Sequence, residues 1–104
     1  MLEGKIALVT GASRGIGKAI ADMLGAQGAT VIGTATTESG AEAISQRFAA
    51  AGLTGRGMCL DVSDGASVEA VIKAISDQYG AVGILVNNAG ITRDDLLMRM
   101  KNDE

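Results

Sequence analysis

A short apolar run, Lys5-Ile6-Ala7-Leu8-Val9, gives way to Thr10-Gly11-Ala12-Ser13-Arg14-Gly15-Ile16-Gly17 and then directly to a helical pattern. Continuous rather than alternating apolarity marks a strand buried on both faces, as in a parallel sheet. Ile16, Ala19, Ile20, Met23 and Leu24 then recur at helical spacing, so that stripe is expected to face the core. Three glycines between a buried strand and a helix confine the chain to a tight turn that delivers bare backbone to the helix start. A helix start carries unpaired N–H groups and the positive end of the dipole. A diphosphate can take both when no side chain blocks its approach.

The rhythm repeats. Ala29 to Thr34 reads as a second strand, with Gly28 placed to end the first helix as a left-handed cap. Ser39-Gly40-Ala41-Glu42 fits a capping box, Ile44 and Phe48 share a helix face, and Gly52 closes that helix. Gly57 to Val62 reads as a third strand, Asp64 as an N-cap, and Val68, Val71, Ile72, Ile75 and Tyr79 as a third stripe closed by Gly80. Ile84-Leu85-Val86 is a fourth buried strand running into Asn87-Asn88-Ala89-Gly90, after which Leu96, Leu97 and Met100 could start a further helix. Alternation of this kind predicts an α/β fold: a Rossmann-type doubly wound parallel sheet of about four strands and three helices, incomplete relative to a larger three-layer fold. A strand order 3-2-1-4 follows, with an uncovered apolar edge at the fourth strand and poor solubility for such a segment on its own.

Composition narrows the class. The 104 residues allow one domain, and a 47% hydrophobic content is too high for a disordered chain. No run approaches the roughly 18 apolar residues of a membrane span, and no secretory leader is visible. A net charge of −3 with two aromatic residues argues against nucleic-acid binding. A single cysteine, Cys59, fits a reducing cytoplasm and is expected to pack in the sheet without chemistry. No metal-ligand pattern stands out.

The loop spacing is G-x-x-x-G-x-G at Gly11, Gly15 and Gly17, not the common G-x-G-x-x-G. It is not a Walker loop either: Ala12 takes the place of the first required glycine and Ala19 that of the Mg²⁺-binding hydroxyl. Glycines alone could merely make a tight turn, but their place between strand and helix favours a dinucleotide site. NAD-binding folds carry an acidic residue about 20 positions further on for the ribose 2′-hydroxyl. Val31 to Thr37 contains none, so a 2′-phosphate is permitted, Arg14 can supply a planar cation, and Thr36 or Thr37 a hydroxyl. NADP(H) is therefore favoured over NAD(H), with Glu38 the nearby carboxylate that a small register change would bring close. Asp61 could accept from the adenine amino group or serve only as a turn residue. Asn87 and Asn88 follow the fourth strand at the expected switch point, where an amide pair can serve a ribose, a neighbouring strand or an ordinary turn.

Together, Thr10 to Gly17 and Asn87-Asn88-Ala89-Gly90 resemble the short-chain dehydrogenase/reductase family across the whole chain. Val31 to Thr36 and Gly90-Ile91-Thr92-Arg93-Asp94 with Leu96 to Met100 look like its bacterial branch that reduces 3-oxoacyl groups on acyl-carrier protein in fatty acid biosynthesis. The resemblance implies NADPH-dependent reduction of a 3-oxoacyl thioester to the (R)-3-hydroxyacyl form by a homotetramer. It implies cofactor contacts from Gly11, Ala12, Ser13, Arg14, Ile16 and Gly17, from Thr36, from Asp61 and Val62 around the adenine, and from Asn88, Ala89 and Gly90 along the ribose. Gly83 stands where this family usually has Asp before the Ile-Leu-Val strand. The family's catalytic Tyr-x-x-x-Lys pair, serine and helix asparagine are absent: Tyr79, the only tyrosine, has Gly83 four residues on and reads as core. Residues 1–104 are thus expected to be the N-terminal part of a single NADP(H)-binding domain, with no catalytic residue and no turnover alone. A reductase of a small ketone or sugar, or a non-catalytic dinucleotide sensor, are the alternatives.

Overall fold

The structure, a computed structural model, describes residues 1–61 and 63–88. Four strands and three helices alternate among them: β1 (Ile6–Val9), α1 (Gly15–Ala26), β2 (Thr30–Ala35), α2 (Glu38–Ala50), β3 (Gly55–Cys59), α3 (Gly65–Gln78) and β4 (Ile84–Val86). The strands form one sheet in the order β3-β2-β1-β4, all pairs parallel. Parallel neighbours need crossovers, and here each crossover is a helix. The chain winds outward from β1 to β3 and then returns to the far side of β1. The order therefore reverses between β1 and β4, the point at which an α/β sheet opens a crevice at its carboxyl edge.

Side-chain alternation along β1 separates two cores. Ala7 and Val9 join Val31, Ala35, Ala21, Ile44 and Phe48 under α1 and α2, while Leu8 joins Ile32, Met58, Val68, Val71, Ile72 and Ile75 under α3. Both faces of β1 are dry, which explains its unbroken apolar sequence. Each fully buried aliphatic chain, Leu8 and Ile32 among them, contributes roughly 1.5–3 kcal/mol. Tyr79 is half-buried against the α3 core, as a core residue at a helix end should be. At the edge, Ile84, Leu85 and Val86 are each half-buried.

Three sequence expectations shift. The inward face of α1 is Gly17 and Ala21, with Leu24 packed beside them, whereas Ile16 is 72% and Met23 58% exposed. Small residues let the helix lie close on the sheet, and a stripe drawn through the large side chains misses them. The N-cap of α2 is Thr37, not Ser39: the extended Thr37 (φ −126°, ψ 157°) accepts from Gly40 N at 3.0 Å. Ser39 lies inside the first turn, and Glu42 accepts from Gln46 instead of reaching back to a cap. Finally β3 runs Gly55–Cys59 rather than from Gly57 to Val62, because Val31 pairs with Gly55, a glycine that looks like punctuation in sequence, and Gly33 with Gly57. A methyl group at Gly57 would overlap the Ala41 carbonyl oxygen, so that glycine brings α2 onto the sheet.

The helix ends are as read. After α1, Gly28 sits at φ +97°, with Gly28 N donating to Gly25 O at 3.0 Å and Ala29 N to Leu24 O at 3.2 Å. Gly52 after α2 repeats this, with Leu53 N donating to Phe48 O at 2.9 Å. Both are Schellman caps, which favour a left-handed glycine. Val62, Ala89, Gly90 and the helix suggested by Leu96, Leu97 and Met100 lie outside the described residues.

Candidate functional site

The site is built where β1 ends. Thr10 is fully buried there, and its hydroxyl oxygen accepts from Asn88 N at 2.8 Å. Thr10 N donates to Val86 O at 3.0 Å, so one residue ties β1 to the end of β4. Asn88 returns the tie through Nδ2, which donates to Gly11 O at 3.3 Å. The other side of the loop is pinned to β2: Gly11 N donates to Thr34 Oγ1 at 3.2 Å, and Ala12 N to Thr34 O at 2.8 Å. Thr34 is 1% exposed, a buried hydroxyl whose partner is the loop itself.

Against this fixed loop, Gly17 closes the corner. A methyl group there would overlap the Gly11 carbonyl oxygen and approach Asn88 Nδ2 to 2.7 Å. Ala12, fully buried, fills the gap that Gly33 leaves: a Cβ at Gly33 would meet the Ala12 methyl at 2.8 Å. Glycine and alanine at these points set how tightly loop, helix and sheet nest.

The start of α1 is left open. Its N-cap, Arg14, is extended (φ −161°, ψ 170°), makes no side-chain cap, and no acidic residue stands in the first turn. The opening turn faces a cleft of about 440 Å³ lined by Gly11, Ser13, Arg14, Gly15, Ile16, Ala35, Thr36 and Asn88. Among the described residues one cation and no carboxylate line it, on a chain whose net charge is −3. Glu38 begins α2 and is not part of the lining, so the carboxylate that threatened a 2′-phosphate lies outside the cleft. Unpaired helix donors, a guanidinium, hydroxyls and an amide form a donor set for an anionic, phosphate-bearing ligand.

Of the residues singled out from sequence, Gly11, Ser13, Arg14, Ile16, Thr36 and Asn88 converge on the cleft. Ala12 and Gly17 lie behind its wall as packing residues. Asp61 follows β3 at the same sheet edge but is not in the lining; its Oδ1 accepts from Ser63 N at 3.0 Å and from Ser63 Oγ at 2.6 Å. Those bonds, the hydroxyl's first, hold its carboxyl below the usual aspartate range. Val62, Ala89 and Gly90 fall outside the described residues. Cys59 ends β3 with Sγ directed at Thr36 O, 3.6 Å away. Gly15, read from sequence as a loop glycine, also lines the cleft; Ala35 lines it without having been singled out, and Thr34 was missed behind it. Thr34 had a signal: a hydroxyl in an otherwise apolar buried strand needs a partner. Among the described residues no group of His, Cys, Asp and Glu could hold a metal ion, and no helix is long and apolar enough to cross a membrane.

Residues 5–104 match the model of the family described as short chain dehydrogenase. The chain belongs to that family. It is 66% identical over 103 residues to the 3-oxoacyl-[acyl-carrier-protein] reductase FabG of Vibrio harveyi and 67% identical over 103 residues to that of Vibrio cholerae, covering 99% of this chain in each case. It is 64% identical over 102 residues, 98% of this chain, to the same-named reductase of Escherichia coli. The chain spans 41% of the length of each of these relatives. The parallel β3-β2-β1-β4 sheet alternating with helices is consistent with that family's fold.

Proposed function

We propose that this chain is the cofactor-binding part of an NADPH-dependent reductase of 3-oxoacyl-[acyl-carrier-protein], working in fatty acid biosynthesis. The observation that carries the proposal is the 64–67% identity to relatives of that name over nearly the whole chain. The cleft supports it independently. The opening amides of α1, with Ser13 and Arg14, would hold the diphosphate, and Gly11 and Ile16 its path along the loop. Thr36 and the Arg14 guanidinium would take the 2′-phosphate, which the absence of a carboxylate among the described lining residues favours over a ribose hydroxyl. Asn88, with Ala89 and Gly90, would follow the nicotinamide ribose, and Asp61 with Val62 would border the adenine. When bound, the reduced nicotinamide supplies the hydride. The residues of this chain bind and orient it, and none of them is assigned proton transfer. A carrier-protein-bound substrate and a homotetramer belong to the same proposal and rest on the resemblance, and a cytoplasmic location rests on the single cysteine.

The test is turnover of the intact protein with NADPH and an acetoacetyl thioester, followed by loss of reduced-nicotinamide absorbance. NADPH oxidation that depends on the thioester, and is much slower with NADH, is expected. Absence of thioester-dependent oxidation overturns the proposal.

A further inference from the structure

A guanidinium outside the cleft holds the loop from behind. Arg47 lies in the last turn of α2, and its side chain is only 24% exposed. Its Nη2 donates to Ala12 O at 3.1 Å, and its Nε to Asp22 Oδ1 of α1 at 3.3 Å. The guanidinium carbon sits 5.3 Å from the centre of the buried Phe48 ring, which limits its sideways freedom. One planar fork thus joins α2, α1 and the glycine loop. A helix C-terminus attracts any cation, but that attraction alone does not account for a bond to the loop carbonyl.

We propose that Arg47 is a positioning residue for the phosphate-binding loop, acting through the Ala12–Ser13 peptide. The proposal rests on the cofactor reading above. The peptide is trans, so its N–H and C=O point in opposite directions. Holding Ala12 O toward α2 turns the Ser13 N–H away from Arg47, and Ser13 lines the cleft. The Ala12 N–H is already held by Thr34 O, so the Arg47 bond fixes the remaining edge of this turn. Without Arg47, a carbonyl in a fully buried residue loses the partner shown for it. Rotating that peptide toward water would replace a donor at the cleft wall with an acceptor, the wrong polarity for a diphosphate.

The test is calorimetric titration of the intact protein with NADPH and, separately, with 2′-AMP, which carries the 2′-phosphate but no diphosphate. Arg47→Met should weaken NADPH about tenfold and leave 2′-AMP within about twofold. Arg47→Lys keeps the charge but not the fork, and should fall between wild type and Arg47→Met. Asp22→Asn, which keeps the fork and loses only its anchor's charge, should weaken NADPH about twofold and serves if Arg47→Met does not fold. Unchanged NADPH affinity in Arg47→Met, parallel loss of both ligands, or full affinity in Arg47→Lys each overturns the positioning role while the cofactor reading stands. A wild-type protein that does not bind NADPH overturns the cofactor reading, and the positioning role with it.

Discussion

Helices α1 and α3 both begin at the carboxyl edge of one sheet, yet their first turns are finished in opposite ways. Asp64 closes α3 from within, its Oδ1 accepting from Ala66 N at 3.0 Å, and Thr37 does the same for α2. At α1 the cap position holds Arg14, which supplies no acceptor to the helix and adds positive charge where the dipole is already positive. A chain selected only to fold would cap all three, since a cap is worth about 1 kcal/mol. Among the described residues the one open start is also the one pinned by buried Thr10 and Thr34, placed at the strand-order switch and lined without carboxylates. Rigid backbone around unfilled donors is what an anion site requires, and the contrast between the two helix starts separates stability from binding.

The comparison can be broken most forcefully at Gly17. Gly17→Val drives a side chain into the Gly11 carbonyl and the Asn88 amide, and should cost about 3 kcal/mol of stability together with cofactor binding, read by thermal melting and titration. Arg14→Asp sharpens it by giving α1 the kind of cap α3 has: the extended Arg14 backbone suits a capping aspartate. The melting temperature should hold or rise while NADPH binding weakens about thirtyfold, because the new carboxylate takes the donors and removes the cation. The reciprocal change, Asp64→Ala, should cost about 1 kcal/mol in denaturant unfolding and leave NADPH affinity unaltered.

The smallest effect concerns pH. The Ser63 bonds depress the Asp61 carboxyl in the folded state. Its stabilising contribution is therefore complete above the ordinary aspartate value and is lost as pH falls through the lower folded value. A carboxyl-carbon NMR titration should place Asp61 below that ordinary value, and Ser63→Ala should move it back up.

Most of the architecture is legible in the chain because large side chains report their burial. Ile44 and Phe48 on α2, and Val68 through Ile75 on α3, fall on the stripes their spacing draws, and Ile84 to Val86 pairs with β1 as its apolarity suggests. The errors cluster where contact is made by absence of a side chain. Gly17 and Ala21 turn α1 so that Ile16 and Met23 face outward, and Gly55 starts β3 two residues before its reading from sequence. In the cleft, the loop residues are legible because the motif places them between a buried strand and a helix, and Asn88 because it follows a buried strand at the switch point. Ala35 enters the cleft from the end of β2 through sheet register, and Arg47 reaches the back of the loop from the far end of α2 through packing of two helices, relations that local spacing does not encode.

The central claim is that the uncapped start of α1 is reserved for a dinucleotide's diphosphate. An amide-resolved NMR titration of the labelled protein with NADPH reads it directly. The Ser13, Arg14, Gly15 and Ile16 amides should shift together and saturate with the cofactor, while Ala66 at the capped start of α3 stays still. Saturable binding that leaves those four amides unmoved, or that moves Ala66 as much, would contradict it.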